Sequence, residues 1–299
     1  MSKQGQRILF GKIYIKGKIE IITGLHIGGS QDSFQIGGTD LTVIKDSGNN
    51  FPYIPGSSLK GKLRSALEKF GERIKDGKPE KLKSNRNIGT FRNKLFIHCC
   101  DDIKYAGNCD VCRIFGSSGD DRSMPRGQKA ENFPSFLMVR DCLIDDPLFD
   151  SAKTYTEIKT ETGVDRVNMA ANPRKVERVL PGTVFNFEMI YSVDGITLSD
   201  QKEPQFPEEN LKKDIDNILT CMEIIQDEGL GGYSSRGYGK VKFEITELSG
   251  KSLEYFKGKT DKTEKMPKEQ NSIKDARKYI VNIVKFLKQE SYNELSNQA

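Results

Sequence analysis

Five glycines crowd residues 229–240, GLGGYSSRGYGK, and this stretch leads straight into Val241-Lys242-Phe243-Glu244-Ile245. Apolar and polar residues alternate there at period two, so the segment is constrained to be a strand with one face buried. The glycines before it let the backbone adopt positive φ and approach a ligand closely. Exposed N–H groups together with Arg236 make an anion site, and Tyr233 and its neighbouring tyrosine offer faces on which bases stack. The ligand this suggests is an RNA backbone. The alternative is a flexible hairpin that only introduces the strand.

The same alternation at 12–23 (KIYIKGKIEIIT) predicts a second strand, and apolar runs predict two more at 136–144 and 184–193. Two helical stripes lie between them. Ser57 or Ser58 is a natural N-cap for the first, which carries Leu59, Leu63, Ala66, Leu67 and Phe70. The second, at about 208–227, carries Leu211, Ile215, Ile218, Leu219, Met222 and Ile225. Without the polar stretches the order is strand, helix, strand, strand, helix, strand. That is the βαββαβ unit of ferredoxin-like and RNA-recognition (RRM-like) folds, an α+β class, though order alone licenses no function. The unit would span 12–70 and 135–248, interrupted by a basic insertion at 71–134 and by a long polar arm at 150–180. Residues 251–272 read as a solvated linker. Within 249–299 a last stripe, Ile273 to Leu287, predicts an amphipathic helix that docks on the body in preference to a partner.

With 299 residues, 35% hydrophobic and 30% charged, the chain holds enough apolar material for one large or two small domains. A formal net charge of +5 is mildly basic. No run approaches the roughly 18 apolar residues of a membrane span, and the start MSKQGQR lacks a leader's apolar core. A cytoplasmic protein without membrane partners is therefore expected. Two histidines, His26 and His98, exclude mechanisms that need several.

Four of the six cysteines fall between Cys99 and Cys112, which in a reducing compartment points to a metal and away from disulfides. Cys109-Asp110-Val111-Cys112 is a C-x-x-C knuckle, and His98 with Cys100 completes a tetrahedral zinc set best. Residues i and i+2 of an extended segment project to one side, so Cys99 would point away, although the sequence does not decide between Cys99 and Cys100. Reduced cysteines without metal are the alternative. The loop at 24–46 combines glycines with Asp32, Asp40 and Asp46, which could hold Mg²⁺ or serve as ordinary turn residues. Ser57, Lys60, Lys62 and Arg64 place hydroxyls and cations at a helix start, either a phosphate site or a solvated face. Within the arm, Arg174 and Arg178 suggest a hairpin stem with basic contacts, or else a mobile loop.

Together, TGLHIGG (23–29), IGGTD (36–40), YIPGSSLKGKLR (53–64), CxxCRIFG (109–116), TEIKTETGVDRV (156–167), ANPRKVERV (171–179) and GLGGYSSRGYGKVKF (229–243) resemble the RAMP superfamily. Within it they are similar to the Csm-type backbone subunits of type III CRISPR effectors, over about residues 12–248. The resemblance implies an RRM-like palm, a thumb at 150–180, and a filament of copies along a CRISPR RNA. It implies cutting of single-stranded target RNA at each kink through the 2′-hydroxyl, dependent on Mg²⁺ or Mn²⁺, with Asp40 essential. His26, Lys60, Lys62, Arg64 and Arg236 match family positions linked to RNA. Large, small and capping effector subunits are the further partners implied. A guide-binding scaffold that does not cut is the competing expectation. A guide-processing ribonuclease fits poorly with two histidines.

Overall fold

The computed structural model describes residues 5–29, 41–89, 93–118, 131–145, 154–197 and 203–296. In chain order these form β1 (Gln6–Ile21), α1 (Gly56–Phe70), β2 (Glu72–Lys75), β3 (Lys78–Lys81), β4 (Arg86–Asn87), β5 (Phe96–Ile97), α2 (Ile103–Gly107) and α3 (Asp110–Phe115). There follow β6 (Leu137–Val139), β7 (Leu143–Ile144), β8 (Thr156–Val164), β9 (Ala171–Val179), β10 (Val184–Thr197), α4 (Glu208–Glu228), β11 (Val241–Ser252), α5 (Leu253–Phe256), β12 (Glu264–Lys265) and α6 (Ile273–Ser296).

The main sheet runs β12-β11-β1-β10-β6, with β7 also on β10, and every pairing is antiparallel. If β6 and β7 count as one interrupted strand, the four core strands lie in the order 4-1-3-2. This is the arrangement that βαββαβ connectivity demands. The α+β, RRM-like expectation is therefore borne out. β1 is central because it alternates along its length. Ile13, Ile15, Ile19 and Ile21 are wholly buried on one face, where α1 and α4 pack. Each such side chain contributes about 1.5–3 kcal/mol relative to exposure. The stripe of α4 is buried throughout, and so is that of α1 except Phe70, which is 39% exposed at the helix end.

Several expectations need correction. The cap of α1 is Pro55, with no side-chain cap from Ser57 or Ser58. Its free N–H at Gly56 instead donates to Asp141 Oδ1 at 2.7 Å. Asp141 sits in the gap between β6 and β7, where the run at 136–144 breaks; Cys142 turns away from β10 and exchanges backbone bonds with Ile54 at 2.8 and 3.0 Å. The final strand continues beyond Ile245 to Ser252. The segment read as a linker carries α5 and β12, and its residue Met266 is buried. α6 docks on the body, with Ile273, Ala276, Ile280, Ile283, Val284 and Leu287 buried. It comes so close to the sheet that a Cβ on Gly250 would lie 2.6 Å from Ile283 Cγ2.

The insertion folds as two small hairpins, β2–β3 and β4–β5, and the short helices α2 and α3. A buried ion pair fastens it to the palm. Arg113 of α3 donates to both oxygens of Asp214 on α4 at 2.7 and 2.5 Å, and Tyr191 of β10 donates to the same carboxylate at 2.5 Å. Burial alone would lower the Arg113 pKa, but the Asp214 carboxylate outweighs it and raises it.

Candidate nucleic-acid interface and cysteine cluster

Three segments far apart in sequence meet where β1 ends and β11 begins: residues 22–29, the glycine loop, and the base of the β8–β9 hairpin. Leu25 exchanges backbone bonds with Val179 of β9 at 2.7 and 3.2 Å, and Gly239 N–H donates to Gly24 O at 3.0 Å. Gly232 N–H donates to His26 O at 2.8 Å. Close approach explains Gly231: it holds φ +76°, and a Cβ there would lie 2.5 Å from His26 O. The glycines thus clamp the histidine loop, and Tyr233 to Gly237 turn outward through a short 3₁₀ segment, Ser234–Arg236.

His26 is 6% exposed, and its Nδ1 donates to Glu177 O at 2.7 Å. Its ring packs 5.4 Å from that of Tyr233, which Arg236 covers at 5.3 Å. Tyr238 is buried; Lys159 and Arg178 lie over its ring at 4.9 and 5.3 Å, and its hydroxyl donates to Glu161 Oε1 at 2.7 Å. That ring is therefore taken up by its own chain, and Tyr233 is the tyrosine face that displacement of Arg236 would expose. Arg236 pairs with Glu161 at 3.3 Å and Arg178 with Glu157 at 2.6 Å. The hydrogen bond from Tyr238, then the charges of Lys159 and Arg236, hold the Glu161 carboxyl below its ordinary range. Burial and Glu161 push the Tyr238 phenol up to about 12.

The arm is a hairpin of two nine-residue strands, with Arg174 exposed opposite Glu161. At its base Glu177 ties several segments together. Its carboxylate accepts from Val43 N–H at 3.0 Å, Thr156 Oγ1 at 2.8 Å and Lys45 Nζ at 2.7 Å, while its own N–H donates to Leu41 O at 2.9 Å. Burial works to raise the Glu177 pKa, but these donors win and lower it. Asp40 lies outside the described residues. Its successor Leu41 is bridged to Val176 on the arm.

The basic start of α1 is not part of this gathering. Lys60 Nζ donates to Ser135 Oγ and Leu137 O, both at 2.8 Å, and burial, then the charge of Arg64, lower its pKa. Lys62 pairs with Glu228 at 3.2 Å. Arg64 reaches Glu68 at 3.1 Å and His98 O at 2.6 Å. Ser57 alone of these is exposed. Three of the four side chains thus fasten α1 to its own surroundings.

Beside Arg64, the buried His98, Cys100, Cys109 and Cys112 place one ligand atom each within 4.8 Å of one another. His98 Nε2 is 3.3 Å from Cys109 Sγ and 3.5 Å from Cys100 Sγ, while Nδ1 donates to Lys83 O at 2.9 Å. That outer bond fixes the tautomer and leaves Nε2 to face the thiols. Hydrogen bonds from the Cys109 and Cys112 thiols, aided by Arg73, lower the pKa of the Cys100 thiol. Cys99 lies outside the cluster, beside Arg64 Nη2 at 3.7 Å. The donor set of three sulfurs and one imidazole nitrogen could hold a metal such as zinc.

Sequence reasoning overlooked Glu161, Glu177, Asp141 and the Arg113–Asp214 pair. Tyr238, read from the sequence as a stacking face like Tyr233, is instead buried beneath Lys159 and Arg178. The carboxylates had no sequence signal, because their hydrogen-bond partners lie 21 to 134 positions away and meet them only once the strands have paired.

This fold with these converging loops defines a class. The chain belongs to the RAMP superfamily, whose profile matches residues 18–242. A Methanocaldococcus jannaschii relative named "CRISPR system Cms endoribonuclease Csm3" is 34% identical over 253 residues, covering 84% of this chain and 86% of that protein. A relative of the same name from Streptococcus thermophilus is 36% identical over 240 residues, covering 79% and 88%. Among solved structures, the Csm3–Csm4 subcomplex of the type III-A CRISPR-Cas interference complex gives a TM-score of 0.51 at 25% identity, over 92% of this chain and 98% of that one. Csm3 of Methanopyrus kandleri gives 0.50 at 25% identity, over 83% and 80%. The resemblance read from the motifs is thus borne out as one to Csm3 proteins.

Proposed function

We propose that the chain is a CRISPR-RNA-binding backbone subunit of a type III effector, and an endoribonuclease that cuts guide-complementary target RNA at regular intervals. The observation that carries this reading is the meeting of the glycine loop, the histidine loop and the arm base at one end of the sheet. Cations and aromatic rings there suit a sugar-phosphate track, which a protein reads by backbone and shape while base pairing supplies sequence. Arg174, Arg178, Tyr233 and Arg236 would contact RNA, and His26 would act by bracing the two loops it joins. Ser57, Lys60, Lys62 and Arg64 would act chiefly by fixing α1, with Ser57 left to reach a phosphate.

Cleavage needs little machinery if the arm kinks the duplex. A kink can bring a 2′-hydroxyl in line with the adjacent phosphorus, which is catalysis by proximity. Asp40, the residue before Leu41 in sequence, would take the hydroxyl proton. Bound Mg²⁺ or Mn²⁺ would supply charge neutralisation at the phosphate. His98, Cys100, Cys109 and Cys112 would hold a structural zinc ion, since a closed four-ligand set leaves no open position. The partners would be guide RNA, target RNA, further copies in a filament, and large, small and capping effector subunits, in the cytoplasm. No helix among the described residues is long and apolar enough to cross a membrane.

The test uses the assembled complex with complementary RNA and Mg²⁺. Asp40→Ala should abolish cleavage and leave guide binding and assembly intact. Loss of assembly would contradict the role given to Asp40. Intact RNA with the unaltered chain would leave a scaffold that binds without cutting.

A further inference from the structure

The matched family region ends at residue 242, yet the segment after it is built firmly onto the palm. α6 packs its apolar stripe over β11, Arg277 binds Glu223 at 2.9 Å and also Asp216 on α4, and the Tyr279 hydroxyl donates to Glu264 of β12. Residues 249–299 carry eleven Lys and Arg against seven Asp and Glu, and so four of the chain's five net positive charges. The first 248 residues are close to neutral.

These charges are not scattered. Lys274, Lys278 and Lys285 are exposed and stand at helix positions i, i+4 and i+11, one line on the face opposite the buried stripe. Val281, 39% exposed, and Tyr292, 54% exposed, continue the same line. From Lys274 to Lys285 the line is about 16 Å long at 1.5 Å per residue. Lys262, Lys265 and Lys268, also exposed, flank it on the chain that leads into α6. Neighbouring lysines are neutralised: Lys257 and Lys259 pair with Glu254 at 3.1 and 2.9 Å, and Lys288 pairs with Glu208. The six named above have no carboxylate within salt-bridge distance among the described residues.

We infer that this lysine line on α6 is a second RNA-binding surface, one that holds single-stranded RNA backbone without regard to sequence. An acidic protein surface would attract the same charge. Protein interfaces, however, are depleted in lysine and favour arginine, whose planar fork gives specific paired bonds. Lysine is a mobile point charge, suited to phosphates whose positions vary. The inference rests on the reading above only in taking RNA as the polymer, and it assigns the tail a role apart from cutting.

The test is binding of a labelled 20-nucleotide oligouridine to the full-length chain by fluorescence anisotropy from 50 to 200 mM KCl. The Asp40→Ala background keeps the RNA intact. Each single-strand phosphate contact contributes about 0.7 to the slope of log K against log salt, so K274Q/K278Q/K285Q should make it shallower by about 2. The variant K262Q/K265Q/K268Q should lower the slope further when combined. A parallel variant, R174Q/R236Q, reads the arm and glycine loop. If that variant weakens binding while the α6 triple leaves the slope unchanged, the inference is overturned and the function stands. If neither variant changes binding, both fall. An α6 triple that loses co-purifying effector subunits at unchanged RNA slope overturns it in favour of a protein partner.

Discussion

Replacing Asp214 with alanine should destabilise the chain more than any surface change. Asp214 is fully buried, and it accepts two bonds from Arg113, at 2.7 and 2.5 Å, and one from Tyr191 at 2.5 Å. Its removal leaves a guanidinium that is 4% exposed with, among the described residues, Asp110 at 3.4 Å as its one remaining counter-charge. Breaking one partner of such a pair costs about 3–5 kcal/mol, because the surviving charge remains desolvated. At about 2–4 °C per kcal/mol for a chain of this size class, the midpoint should fall by about 6–20 °C in a thermal melt followed by circular dichroism. Replacing both charges by apolar groups, D214L/R113M, should restore most of the loss, since a buried pair and a packed apolar pair are often near equal in stability. The reasoning is refuted if D214A loses less than about 1 kcal/mol, the size of an exposed pair, or if the double variant is as unstable as the single one.

Two further outcomes concern the cysteine cluster and the tail. Purified chain should carry about one zinc per molecule by metal analysis, and C109S/C112S should lose it and melt at a lower temperature; full zinc retention would remove the site. Glu208 is held down to about 2 by hydrogen bonds from Lys212 and then Lys288 of α6, so its contribution is complete above the ordinary carboxylate range and fades as pH falls from about 4.5 towards 2. The difference in melting temperature between the unaltered chain and E208Q should therefore shrink on acidification across that window, and a difference that grows instead would contradict the tie.

How far the sequence could be read depended on whether a feature was local. The alternation of Ile13, Ile15, Ile19 and Ile21 shows a strand, and the spacing of Leu59, Leu63 and Leu67 shows a helix, because each pattern repeats within a few residues. The set of His98, Cys100, Cys109 and Cys112 was legible for the same reason. What stayed hidden was long-range pairing. Asp141 caps α1 from 85 positions away, Arg113 meets Asp214 across 101, and Glu177 reaches Val43 across 134. No periodicity encodes such partners. The cations at the start of α1 show the converse error: Lys60 and Arg64 look free in sequence, and the fold engages them with backbone carbonyls.

The margins of the main sheet constrain how copies of this chain can meet. Residues 264–271 run along the outside of β11, where Met266 N–H donates to Leu248 O and Ile245 N–H to Asn271 O, both at 2.9 Å. The opposite margin is divided into β6 and β7, three and two residues long. Among the described residues, neither side of the main sheet offers a long row of open donors and acceptors for another chain to zip onto. Polymerisation through a continuous ribbon of main-sheet strands is thereby disfavoured, and any contact between copies at these margins falls to side-chain surfaces.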